Sequence, residues 1–109
     1  MTEAEYEAAA KPELDALVRA LDALDATDFE AELASDILTI EFEDGARYVV
    51  NSHRAARQIW MAAELNAWHF DWLAAERRWV AAKSGDELWS ALEGVLSRKL
   101  KRPLRLERR

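Results

Sequence analysis

Residues 37–51 read ILTIEFEDGARYVVN. Leu38, Ile40 and Phe42 alternate with Thr39, Glu41 and Glu43, which is the period of a strand with one apolar and one polar face. Asp44-Gly45 is a dipeptide that closes tight hairpins, and the strand pattern resumes at Arg47. The stretch therefore predicts an antiparallel pair over about 36–43 and 46–51.

The same period extends upstream. Phe29, Ala31 and Leu33 alternate with Asp28, Glu30 and Glu32, predicting a strand over about 28–34 that carries carboxylates on one face. Downstream, short strands are expected over about 57–61, 67–72 and 77–81. The period changes at both ends of the chain. Leu14, Leu17, Val18, Leu21 and Leu24 recur at three- and four-residue spacing, the stripe of a helix over about 4–24. Pro12 lies inside it and lacks the amide proton that the ladder needs, so a kink or a loosened first turn is expected there. Near the other end Ser84 and Glu87 have capping-box spacing, followed by the stripe Leu88, Leu92, Val95, Leu96 and Leu100. That helix is expected over about 85–100 and is stopped by Pro103, leaving an extended basic tail, 101–109. The order helix, antiparallel strands, helix, with one apolar face on each element, predicts a single α+β domain over 1–109. Its economical form is a two-layer α/β sandwich, with both helices on one face of the sheet.

Composition narrows the chemistry. Hydrophobic residues make up 50% of the 109, and charged residues 33%, which suits one globular core. There is no cysteine, so disulfides, thiolate zinc, a cysteine-ligated cluster and a cysteine nucleophile are excluded. No Gly-rich phosphate loop and no nucleophile elbow is present. No apolar run is long enough for a membrane span, and the acidic start Thr2-Glu3-Ala4-Glu5 has no secretory or transit character, so a cytoplasmic protein without membrane contact is expected.

The charge is unevenly divided. Residues 1–45 hold 14 acidic and 2 basic side chains, a balance of −12; residues 46–109 hold 7 and 13, a balance of +6, for −6 in all. An acidic region of this kind attracts cations or a basic partner. Asp22, Asp25, Asp28, Glu30 and Glu32 fall where the first helix would meet the first strand, and they offer only hard oxygen ligands. Read from the residues alone, such a row is a solvated face before it is a metal site. On the sheet, Ile59 and Met61 facing the helices would turn Gln58 and Trp60 outward near Asn51, either as a docking surface or as a patch covered by its neighbours. His53 and His69 read as surface or packing residues rather than ligands. The basic tail (Arg98, Lys99, Lys101, Arg102, Arg105, Arg108, Arg109) lacks any nucleic-acid motif and reads either as counter-charges for acidic residues of the same chain or as plain solubilising charge.

The ordered set of motifs resembles a known family. Residues 51–62, NSHRAARQIWMA, are similar to the core motif of the frataxins, in which an Asn ends one strand and Gln-Ile-Trp opens the next. Trp68-His-Phe-Asp-Trp72, Arg78-Trp79-Val80 and Leu88-Trp89 follow in the family's order, and Ile37 to Gly45 resembles its second strand and turn. The resemblance runs from the first helix to about Leu100 and is nearest to the bacterial, CyaY-type members. It implies the frataxin-like sandwich and weak surface binding of iron (Fe2+ or Fe3+), with no organic cofactor. It also implies a role in iron–sulfur cluster assembly, through the cysteine desulfurase and scaffold complex. The metal residues it implies are Asp22, Asp25, Asp28, Glu30 and Glu32. The implied partner-binding residues are Asp22, Asp25, Asp28, Glu30, Asn51, Gln58 and Trp60. A monomer is expected, with iron-dependent oligomers as a further state. The alternatives are a ferroxidase or iron-storage protein and a metal-independent regulator of the same machinery. The first ranks lower because the chain lacks the Glu-x-x-His pairs of di-iron bundles.

Overall fold

The computed structural model describes residues 1–108. Helix α1 (Glu3–Ala23) is followed by six strands: β1 (Phe29–Ala34), β2 (Ile37–Phe42), β3 (Arg47–His53), β4 (Gln58–Ala63), β5 (Asn66–Leu73) and β6 (Arg78–Ala81). Helix α2 (Leu88–Leu100) closes the order. The strands form one antiparallel sheet in sequential order. Every strand pairs with its chain neighbour, so the sheet needs only short connections.

One parity of each strand is buried. Leu38, Ile40, Val50, Ile59, Met61, Phe70 and Trp79 meet Leu14, Leu17 and Leu21 of α1 and Leu88, Leu92, Val95 and Leu96 of α2 in one cluster. Both helices therefore lie on one face of the sheet, the α+β sandwich that the alternating patterns predict. Tyr6, fully buried, ties α1 to the sheet: its hydroxyl donates to the Gln58 carbonyl at 2.7 Å and shares a 2.7 Å hydrogen bond with the Ser52 hydroxyl. Burial pushes the Tyr6 pKa up.

The single helix expected across Pro12 is present, and α1 runs unbroken through it. The carbonyl it leaves without a donor belongs to Ala8, which is exposed, so water can take the vacant bond. Ser84 does not cap α2. Gly85, at φ +80°, turns the chain, and Asp86 and Glu87 first pair with β6 in extended form. Glu87 itself is the N-cap, with its carboxylate accepting from the amides of Trp89 (2.8 Å) and Ser90 (3.1 Å).

The tail packs as an extended strap. Lys101 ends α2 in a left-handed turn, and the Leu104 and Leu106 amides then donate to Ser97 Oγ (3.0 Å) and Glu93 Oε2 (2.6 Å). Leu106 is buried, and Arg108 lies over the Trp89 ring while pairing with Glu13 of α1 at 2.7 Å. Glu13, buried in the helix layer, also accepts from the Trp89 indole at 2.5 Å. The strap thus joins the two helices through one carboxylate. Arg109 of the expected tail lies outside the described residues.

Two changes test these packing arguments. Leu106→Ala is expected to lower the unfolding free energy by about 2–3 kcal/mol, read as a lower urea midpoint at unchanged m-value. In the β4–β5 turn, Glu64 (φ 55°) and Leu65 (φ 64°) both hold left-handed backbone, and Leu65 is fully exposed. Leu65→Gly should relieve that strain and raise stability by about 0.5–1 kcal/mol in the same experiment.

Candidate functional site: an acidic edge and a one-sided sheet

The alternation that buries Phe29 turns Glu30 and Glu32 to the outer face of β1, both exposed. Asp22 and Asp25 stand exposed at the end of α1, beside the same strand. Asp25 holds a left-handed backbone (φ 50°), one of the few conformations Asp tolerates better than most side chains. The chain reverses there between α1 and β1, so the two acidic runs lie along one open groove of about 780 Å³, which also reaches Glu41.

Asp28, the fifth predicted ligand, is engaged differently. It is half-buried and takes both terminal nitrogens of the Arg102 guanidinium, one at 3.2 Å and the other closer. That charge-assisted hydrogen bond holds the Asp28 carboxyl below the ordinary carboxylate range and raises Arg102 in turn. Lys99 likewise pairs with Asp44 at 2.6 Å and lowers its pKa, and Arg98 grips Glu64 through two 2.8 Å bonds. Elsewhere on the acidic side, Glu41 pairs with Arg47 and Asp36 with Arg54. Among the described residues no ion pair reaches Asp22, Asp25, Glu30 or Glu32. Nor do any three His, Asp or Glu side chains among them converge as a ready-made metal cage.

The outer sheet face carries the second set. Ile59 and Met61 are buried, and Gln58 and Trp60 are half-exposed on the opposite side. Trp60 pairs across the sheet with Asn51 and with His69. Its indole lies between two imidazoles, His53 at 3.6 Å and His69 at 4.2 Å between ring centres, both nearly parallel to it. Its N–H donates to Gln58 Oε1 at 2.8 Å, and Gln58 Nε2 donates to Asp71 at 3.0 Å. Asn51 is turned to the Ser52 carbonyl at 3.1 Å. The patch is thus a fixed platform, with the indole held at both faces and at its nitrogen. His53 and His69, read from the sequence as surface or packing residues, stack here on Trp60, and Asp71 joins the constellation without having been singled out by sequence pattern. His53 lies diagonally across from Trp60, a relation set by the β3–β4 register, which periodicity does not reveal.

Fold and site together define a small α+β sandwich with an acidic first edge and an open sheet face. The chain belongs to the frataxin family: residues 1–102 match the family described as frataxin-like domain. It is 34% identical over 109 residues to the iron-sulfur cluster assembly protein CyaY of Cupriavidus pinatubonensis, covering 97% of this chain and 96% of that one. It is 35% identical over 107 residues to the CyaY of Paraburkholderia xenovorans, covering 98% and 99%. The fold superposes on the frataxin of Psychromonas ingrahamii with a TM-score of 0.86 at 23% identity, over 96% of this chain and 97% of that one. A trimeric yeast frataxin complexed with ferrous iron matches with a TM-score of 0.67 at 26% identity, over 85% and 82%. No helix among the described residues is long and apolar enough to cross a membrane.

The Asp28–Arg102 contact has a pH signature. A carboxylate whose folded pKa is depressed stabilises the fold above its unfolded value, and that contribution is lost as pH falls through the lower folded value. In a carboxyl-carbon NMR titration Asp28 should have its midpoint below the ordinary 3.8 in the parent protein and return toward it in Arg102→Ala. The stability difference between the two proteins should shrink over the same acidic window.

Proposed function

We propose that this protein holds iron weakly on the acidic edge and docks on cysteine desulfurase and its scaffold, regulating or supplying iron for cluster assembly in the bacterial cytoplasm. The observation that carries the reading is the groove in which Asp22, Asp25, Glu30 and Glu32 stand together with no ion pair among the described residues. The names of the curated relatives and the ferrous complex of a yeast frataxin support it.

The chemistry follows from the donors. Carboxylate oxygens are hard ligands, suited to Fe3+ and Fe2+ and not strongly selective against other hard cations. Because the donors are spread along an edge, each ion takes one or two carboxylates and keeps water in its other positions. Binding of that kind is weak and fast, which suits delivery or sensing rather than redox turnover. Asp28 joins the site when Arg102 releases it. The same uncompensated charge would steer a basic surface of the desulfurase, with a rate that falls as salt rises. The platform of Asn51, Gln58 and Trp60 provides a second contact on the adjoining face, with a preorganised aromatic anchor. The protein acts as a monomer in this reading.

An anaerobic titration of labelled protein tests it. Fe2+ and the desulfurase of the same organism are each expected to perturb the amides of residues 22–32, and the desulfurase also those around Trp60. Changing Asp22, Asp25, Glu30 and Glu32 together to Asn or Gln should abolish the iron response and slow desulfurase association about tenfold at low salt. If iron binding disappears while desulfurase regulation persists, the metal is incidental and the protein is a binding module. Trp60→Ala should weaken desulfurase binding about 30-fold or more if the indole is an anchor.

A further inference from the structure

We propose that the free edge of β1 is a strand-addition site for an extended, basic segment of a protein partner. This rests on reading the acidic edge as a docking face, and adds how the partner is held.

The sheet has two edges. That of β6 is covered at Val80 and Ala81, where the Ala81 amide donates to the Asp86 carbonyl at 2.8 Å and Val80 bridges to Glu87. That of β1 is not. The Phe42 amide donates to Ala46, so residues 38, 40 and 42 direct their backbone groups toward β3 and residues 37, 39 and 41 toward β1. In the β1–β2 register Glu30, Glu32 and Ala34 stand opposite Glu41, Thr39 and Ile37. The backbone groups of Glu30, Glu32 and Ala34 therefore bond to β2. Those of Phe29, Ala31 and Leu33 point away from the sheet, and among the described residues no turn or side-chain hydrogen bond takes them up. Three defences that would block any added strand are missing as well: residues 29–34 contain no proline and no lysine, and the register runs without a bulge.

Charge selects the occupant. Side chains of an added strand alternate between two sides. On the outer side they meet Glu30, Glu32 and Glu41; on the helix side they pass Ala31, and Leu33 of the same strand parity, and reach Asp22 and Asp25. Arg47 shares Glu41, and among the described residues the other four carboxylates carry no ion pair. Lysine or arginine is favoured at either parity, its stem on Ala31 and Leu33 and its head on a carboxylate. A second copy of β1 is disfavoured, because Glu30 and Glu32 would stand against like charges. The acids thus act as a gate that bars self-pairing and admits a basic strand.

The probe is a capped hexapeptide of alternating arginine and threonine, compared with its counterpart N-methylated at every residue, which has the same charge but no strand donors. At low salt the first peptide is expected to slow amide exchange of Phe29, Ala31 and Leu33 about tenfold, and the second to leave it unchanged. Ala31→Pro removes an outward amide without touching the β1–β2 bonds, and should weaken the first peptide about tenfold with the circular dichroism spectrum retained. Should that variant fail to fold, the two peptides on the parent protein still decide. Equal binding of both peptides without protection would overturn strand addition and leave a purely electrostatic docking face. Binding of neither would overturn the docking face itself.

Discussion

The structure depends on the packing of both helices against one face of the sheet. Phe29, Leu38, Ile40, Val50, Ile59, Phe70 and Trp79, from β1 to β6, turn toward α1 and α2 and form a single core with them. One face is thereby buried, the other face stays open, and β1 stays open along its outer edge. Both candidate surfaces follow from this. The acidic edge lies where the end of α1 meets the outer strand β1, and the Trp60 platform is on the face opposite the helices.

The charge division of the chain acquires a role in three dimensions. The basic second half does not stay apart; Arg98, Lys99, Arg102 and Arg108 reach back to Glu64, Asp44, Asp28 and Glu13. These contacts pin α2 and the tail to the rest of the fold and neutralise the margins of the acidic region. At the centre of that region, Asp22, Asp25, Glu30 and Glu32 take no counter-charge from the described residues. A small domain has little stability to spare, so concentrating like charge in one place requires compensation nearby. The strap through Leu106 and the buried Glu13–Trp89–Arg108 contact supply apolar burial and a cross-link between helices on the side away from the open face.

Much of this was legible in the residues. Alternation assigned Glu30 and Glu32 to one face of β1 and Trp60 to the side opposite Ile59, because a side chain's face in a strand is a matter of parity. The apolar stripes of α1 and α2 and the one-faced strands defined the sandwich for the same reason. The starting point of α2 was not legible. Ser84 and Glu87 fit a capping box by spacing, but residues 86–87 are held extended by β6 before the helix can begin. Local propensity lost there to a tertiary hydrogen bond. The burial of Glu13 was equally hidden, since it depends on Trp89 and Arg108, 76 and 95 positions away.

The sequence by itself determined what is set by near neighbours: element type, the facing of each side chain, the exclusion of thiolate chemistry and the concentration of acid in the first 45 residues. Only the tertiary structure decided which of those acids remain available. Asp28 is engaged because the end of α2 passes beside it and brings Arg102 across 74 positions. His53 and His69 enclose Trp60 because the sheet register brings three strands into line. Such pairings join residues far apart in the chain, and no periodicity records them; they exist only once the two layers have packed.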